Sequence, residues 1–324
     1  MLTTANVEEQ KSTRRRRVLF ALAIAAVLAA APALGYILVF IQPSNDWFVQ
    51  VNDQEIKRSI LVEMLQTEKR EAARQGRSFD LTARAFGIAG ELTEDEVLRQ
   101  QAHQFGGLPT DDAIDVRIRR LVVPTDSDGS LIKVNQAEFK ELQRTHLEQR
   151  GLSEESFRRQ AAASIVRSQA KAILSATIPS TQPQIHVHRI LTTDAASADF
   201  VLQRAEAGTS FEQLATDYSL VNDGGDLGWL PYDALPAHIA DYLWNVEPFK
   251  MSLPVEEPTG AIALYVVSAR DTARPVDPSH IPIIEQRTFD SWMNSFLNDQ
   301  EINVQIDSNM LAWLATEMAK TRIP

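Results

Sequence analysis

Apolar residues along this chain change their spacing at a few sharp points, and each change marks an element. Residues 18–41 hold no charge, a run that includes Val18-Leu19-Phe20-Ala21-Leu22-Ala23-Ile24 and Tyr36-Ile37-Leu38-Val39-Phe40-Ile41. Trp47-Phe48-Val49-Gln50-Val51-Asn52-Asp53 then alternates as a short strand running into a turn. From Gln54 to Gln75 the apolar positions move to helical spacing, with Ile56, Ile60, Leu61, Met64 and Leu65 on one face, which predicts a long helix. Three later helix starts follow. Thr93-Glu94-Asp95-Glu96 and Asn135-Gln136-Ala137-Glu138 have the form of capping boxes, and Ser153 stands after Gly151 and ahead of Phe157, Ala161, Ile165 and Ile173. The last of these helices is expected to end near Thr177, before Pro179.

Past the linker Pro179-Ser180-Thr181-Gln182-Pro183 the pattern turns to strands and shorter helices. Ile185–Leu191 reads as a strand, Ala195–Ala207 as a helix stopped by Gly208, Phe211–Tyr218 as a second helix, and Ala261–Ser268 as a buried strand. After Pro275 and Pro278 come a helix from about Ile284 to Asn298, an alternating Ile302-Asn303-Val304-Gln305-Ile306, and a closing helix over Asn309–Lys320 bearing Leu311, Trp313 and Leu314. The alternating segments 47–51 and 302–306 have no strand partner nearby in sequence. They are expected to pair with each other, bringing the C-terminal segment back onto the first helices.

Length and charge narrow the picture. A chain of 324 residues, 44% hydrophobic and 23% charged, is globular and long enough for about two domains. Residues 1–17 carry Lys11 and Arg14–Arg17 against Glu8 and Glu9, a net +3, which leaves −14 for the rest of a chain whose total is −11. An acidic body has no basic face for phosphate, so nucleic acid is not an expected partner. The uncharged run 18–41 exceeds the roughly 20 residues that span a bilayer core, and the arginine cluster on its amino side orients it with residues 1–17 in the cytoplasm. Residues 42–324 are then extracytoplasmic, held by a single-pass membrane helix. Ala29-Ala30-Ala31-Pro32-Ala33 is the small-residue pattern of a cleaved leader, but the apolar run continues eight residues further, which favours an uncleaved anchor. Ala21, Ala25, Ala29 and Ala33 place small residues at every fourth position, room for a weak homodimer through the span.

With no cysteine there is no disulfide, thiolate metal site or Cys nucleophile. Of six histidines only His186 and His188 are close in sequence, with no His-Glu spacing beside them, so no metal and no cofactor are expected. The stretch that stands out is Gly224-Gly225-Asp226-Leu227-Gly228-Trp229, because three glycines in five residues signal positive φ or close backbone approach. Together with Arg189-Ile190-Leu191, Ala207-Gly208-Thr209-Ser210-Phe211, Leu214-Ala215-Thr216-Asp217-Tyr218-Ser219, Leu235-Pro236, Pro248 and Ser252-Leu253-Pro254-Val255, this run resembles the parvulin-type peptidyl-prolyl isomerase domain. The helical flanks, Asp128-Gly129 ahead of Phe139, and Gly151–Phe157 are similar to those of membrane-anchored bacterial foldases.

The resemblance implies an α+β chain in four parts. These are a cytoplasmic tail 1–17, a transmembrane helix 18–41, a mostly helical chaperone-like domain 48–179 completed by 279–324, and an inserted parvulin domain 184–271, a small antiparallel sheet surrounded by helices. It implies unfolded or proline-containing polypeptides as partners and an apolar proline pocket. Leu235 and Ile239 would form that pocket with Trp244 behind them, and Trp229 and Asp226 would stand beside the groove. It also implies two buried histidines and an Asp or Cys, and here those positions fall on Arg189, on Val221 or Asn222, and on Ala263. His188 is one place from the first and alternation turns it to the opposite face. An arginine at position 189 is expected to reach solvent or pair with an acid such as Asp226. Taken as plain structure, Trp229 and Trp244 are core residues, Asp226 caps its own loop, and the two histidines are ordinary strand residues. Three readings stay open: an active isomerase, a foldase-type chaperone with little turnover, and an envelope scaffold that uses the domain for docking.

Overall fold

The computed structural model describes residues 45–321, which form two compact units, one built from residues up to 167 together with 296 onward and the other from residues 168–295. The proposed cytoplasmic tail and transmembrane helix lie outside the described residues. Among the described residues no helix is long and apolar enough to cross a membrane.

In the first unit, strand β1 (Trp47–Val51) turns through Asn52, whose φ of 55° is the left-handed region, into β2 (Gln54–Lys57). The helix expected from Gln54 therefore begins four residues late, as α1 (Arg58–Arg74). The tight turn at Asn52 folds residues 54–57 back along β1, and this buries Ile56 as a strand residue. The other edge of β1 takes β7 (Ile302–Val304), with Val49 opposite Val304 and Val51 opposite Ile302. The pairing of the two distant segments is thus present in the fold. Asn52 ties this arrangement together: its amide nitrogen donates to Gln100 Oε1 and Gln300 Oε1, each at 2.7 Å, and its carbonyl oxygen accepts from the Glu301 backbone at 3.1 Å.

Helix α2 (Leu81–Gln100) starts at Asp80, whose carboxylate accepts from Ala83 N–H at 3.0 Å. It runs straight through the Thr93 capping box read from the sequence. Ala85, Ile88, Ala89, Leu92 and Thr93 form one buried stripe, Thr93 Oγ1 donates back to Ala89 O at 2.7 Å, and Glu96 is engaged by Arg99 and Gln100. Burial of that stripe outweighs the local cap. Helix α3 (Asp111–Val122) follows, then α4 (Gln136–Arg150), which does carry the Asn135–Glu138 capping box, and α5 (Glu154–Ser175), opened by Ser153 Oγ accepting from Ser156 N–H at 3.1 Å. Helix α10 (Ser308–Ala319) packs on α1 through buried Met310, Leu314 and Met318, and Lys69 Nζ donates to Met318 O at 2.6 Å. Between these helices lies an apolar trough of about 530 Å³ walled by Ile56, Ile60, Met64, Leu92, Leu108 and Val166, with charged groups such as Glu55, Lys57 and Arg159 among its lining.

The second unit is a four-stranded antiparallel sheet in the order β4-β3-β6-β5. It is made of β3 (Thr181–Thr192), β4 (Asp226–Pro231), β5 (Val255–Glu256) and β6 (Ile262–Pro275). Helices α6 (Ala195–Glu206) and α7 (Phe211–Tyr218) cover one face, where Ile190 and Leu264 meet Ala198, Val201, Leu214 and Ala215. The opposite face packs Ile185, Val187, Tyr265 and Val267 against Leu235, Ile239 and Leu243, the last from α8 (Ala240–Asn245). Helix α9 (Ile281–Asn298) carries the chain on toward β7.

Candidate functional site

Strand alternation on β3 sorts the polar positions of the second unit onto two faces. Ile185 and Val187 join the core with Tyr265, and Arg189, next in that alternation, stands directly opposite Tyr265 on β6. Ala263 lies opposite Leu191 instead, so the pair expected at Arg189 and Ala263 is offset by two residues, and the neighbour of the guanidinium is a phenol. Tyr265 is 1% exposed and its hydroxyl donates to Glu257 Oε1 at 2.6 Å, while His238 Nε2 lies 3.4 Å from the same oxygen. Burial, and then the hydrogen bond to Glu257, push the Tyr265 phenol well above its ordinary value, and Arg189 partly opposes the rise. The phenol therefore stays protonated and committed to the carboxylate.

His186, His188 and Ile190 occupy the other set of alternating positions. Two β-bulges flank the histidines: pairing with β6 jumps from His186–Ala269 to Val187–Val267, leaving Ser268 as the extra residue, and pairing with β4 jumps from Val187–Gly228 to His188–Asp226, leaving Leu227 extra. Ser268 Oγ lies 2.8 Å from His186 Nδ1 and 2.9 Å from His188 Nε2. On the other side, Asp226 Oδ1 lies 3.1 Å from His186 Nε2 and 3.8 Å from His188 Nδ1. The imidazoles meet edge to face at 4.7 Å, with His186 against Trp229 and His188 against Phe211. Burial holds His188 below the usual imidazole value, Asp226 and Glu212 pull upward, and His186 adds to the lowering. Asp226 is thus occupied by the histidines rather than by Arg189.

The glycine loop makes this geometry. Gly224, Gly225 and Gly228 all have positive φ, of 69°, 74° and 76°. Gly225 also needs the missing side chain, since a Cβ there would stand 2.7 Å from Arg189 O, 3.0 Å from Phe211 Cε1 and 3.2 Å from Ala215 Cβ. Its carbonyl accepts from Arg189 N–H at 2.7 Å, so the loop lies on the backbone of β3. Asp226 does cap its own turn, as Oδ1 accepts from Gly228 N–H at 2.8 Å.

Of the remaining expected residues, Leu235 and Ile239 are buried in the core beneath the sheet, and Trp244 packs against that core half-buried, its ring edge-on to Tyr232 at 5.5 Å. Trp229 is half-buried between His186 and the Arg274 guanidinium, which stacks 4.4 Å from its ring centroid. Val221 and Asn222 are exposed. Sequence reasoning missed Tyr265, Glu257, His238 and Ser268, because none has a local motif and each enters through strand register or a loop. It also missed Phe249, a phenyl side chain 78% exposed on a residue with φ of 62° whose N–H donates to Val267 O. A bulky residue in that conformation is strained.

Residues 188–267 match the family model of the rotamases, the PPIC-type PPIASE domain, and this segment is a parvulin-type domain of that family. Over 131 residues, 38% of this chain and 39% of the relative, the sequence is 28% identical to the foldase protein PrsA of Halalkalibacterium halodurans. Over 84 residues, 25% of this chain and 19% of the relative, it is 32% identical to the chaperone SurA of Alcanivorax borkumensis. The chain thus spans well under half the length of the curated relatives it matches. Among solved structures, PrsA from Bacillus anthracis aligns with 73% of this chain and 98% of its own, at 17% identity and a TM-score of 0.40.

Proposed function

We propose that the protein is a membrane-anchored, extracytoplasmic foldase that binds unfolded or extended polypeptides and isomerises X-Pro bonds only weakly. The uncharged run 18–41 behind Arg14–Arg17 supports the anchor and its orientation, and its small residues at every fourth position support a weak homodimer. The parvulin domain and the PrsA and SurA relatives support the foldase class.

The observation that carries the low turnover is the cross-strand pair Arg189–Tyr265 with Glu257 behind it. Rotation about an X-Pro bond meets a barrier of ~20 kcal/mol, and a catalyst must favour the twisted amide over the planar one. Neutral imidazoles beside a groove can exchange hydrogen bonds as the amide turns. A permanently charged guanidinium cannot accept one, and a phenol already donating to a carboxylate has no second proton to offer. With Leu235 and Ile239 buried, the exposed Phe249 and half-buried Trp244 are among the apolar groups left to touch a bound chain. Turnover on the order of 10²-fold below an ordinary parvulin is expected if each missing polar group costs a typical increment.

A second reading, a non-catalytic chaperone or envelope scaffold that uses the parvulin domain for docking, is favoured by the apolar trough of the helical unit, which is large enough for several side chains. One pair of assays on the full chain separates them: isomerisation of a model X-Pro peptide, and suppression of aggregation of an unfolded protein. Aggregation should be suppressed while isomerisation stays low but measurable, and Arg189→His alone should raise it little. A rate equal to an ordinary parvulin's removes the low-turnover proposal, and no rate above background leaves the chaperone alone.

A further inference from the structure

We infer that His186, His188 and Asp226 form a binding site for one divalent transition-metal ion, of the kind that zinc fills, on strand β3 and the start of the edge strand β4. His186 and His188 are two residues apart on β3, Asp226 follows 38 residues after His188, and the three ligand atoms all lie within 4.8 Å of one another. His186 Nε2 and His188 Nδ1 stand 3.1 and 3.8 Å from the same carboxylate oxygen, Asp226 Oδ1. Donor atoms ~2.0 Å from a tetrahedral metal stand roughly 3.3 Å apart, a value between those two.

What surrounds the three donors is independent support. Metal-bound imidazoles coordinate through one nitrogen and carry a proton on the other, which needs an acceptor. Here one atom, Ser268 Oγ, lies 2.8 and 2.9 Å from those two outer nitrogens and can pass its own proton toward His186 O at 3.5 Å. Gly228 N–H holds the carboxylate in place by donating to the same oxygen, Oδ1, that stands nearest the histidines. The bulges on β4 and β6 are what bring Asp226 and Ser268 to the two histidines at once.

Proton counting points the same way. Ser268 has a single hydroxyl proton, so it can satisfy only one imidazole acceptor. Any neutral arrangement that avoids a lone-pair clash at Ser268 turns at least one imidazole lone pair toward the Asp226 carboxylate. A cation between them removes that repulsion. Glu212 adds negative potential at His188, whereas Arg274, stacked on Trp229, is the nearby positive group. Two imidazoles and one carboxylate suit zinc, cobalt, nickel or copper and not calcium or magnesium, which prefer oxygen. Three protein donors leave a fourth position for water, and the ion would clamp β3 to the loop that starts β4. The three donors lie on the sheet face opposite Arg189 and Tyr265, apart from the groups that bear on the proposed isomerase activity.

The test is titration of the tag-free full chain with Co²⁺ alone, read by the visible ligand-field bands of a four- or five-coordinate ion, followed by displacement with Zn²⁺. One Co²⁺ per chain is expected, and Zn²⁺ should raise the melting temperature of the protein. Asp226→Asn keeps an oxygen for the Gly228 N–H and should abolish the bands; if it does not fold, His186→Gln answers the same question. Ser268→Ala should weaken binding by roughly tenfold to a hundredfold, and His238→Ala should leave it unchanged. Absence of the bands in the wild type, or bands that persist in both His188→Ala and Asp226→Asn, overturns the inference and leaves a proton as the only cation the cluster takes.

Discussion

Gly224 and Gly225 are adjacent, share a positive φ, and differ in what surrounds them. A Cβ on Gly224 meets nothing within 4 Å, whereas one on Gly225 meets the carbonyl of Arg189 and the ring of Phe211. Gly224→Ala should therefore cost only the left-handed penalty, about 1–2 kcal/mol. Gly225→Ala adds overpacking against backbone that cannot yield, for a total of about 2–4 kcal/mol. Denaturant midpoints of the two variants check this, and equal losses would mean that Gly225 is retained for its φ alone. The glycine run was conspicuous in the sequence. Which glycine is irreplaceable was not, because that depends on the passage of β3 and α7 beside it. Likewise Arg189 was legible as a departure from the family pattern, while its phenol neighbour was hidden by a register that no local spacing reports.

Elements followed the apolar period wherever the buried face is continuous. The helices α7 and α9, the strand β3 and the closing helix α10 all lie where spacing and caps placed them, to within a few residues. Two departures have one cause. Residues 54–57 carry helical spacing yet form a strand, because the Asn52 turn offers them the hydrogen-bonding edge of β1. Thr93–Glu96 has the form of a cap yet lies inside α2, because Thr93 continues a buried stripe. In both, tertiary burial outweighs a local preference worth about 1 kcal/mol. The C-terminal segment shows the converse dependence. Met310, Leu314 and Met318 are buried against the first unit, at about 2 kcal/mol each, a sum comparable to the whole stability of a small domain. Deleting residues 301–324 should thus abolish the cooperative melting of the helical unit, as followed by circular dichroism. A truncated protein that melts as the full chain does would show that β7 and α10 are accessories.

At the scale of the whole molecule, the proposed topology makes the plainest prediction. A reporter active only outside the cytoplasm should be active when fused after residue 45 and after residue 321, and N-terminal sequencing of the mature protein should find residues 1–17 still attached. A mature start near Pro32 or Leu34 would replace the anchor with a cleaved leader. Many of the helices and strands, the pairing of β1 with β7, the glycine loop and the acidic character were readable from the chain, because they follow from local period, composition, alternating segments and short motifs. The Tyr265–Glu257–His238 cluster behind Arg189 and the meeting of His186 and His188 with Asp226 and Ser268 were not. Each depends on strand register or on a bulge, and a shift of one residue changes which side chains meet without altering the hydrophobic pattern enough to be seen in the sequence.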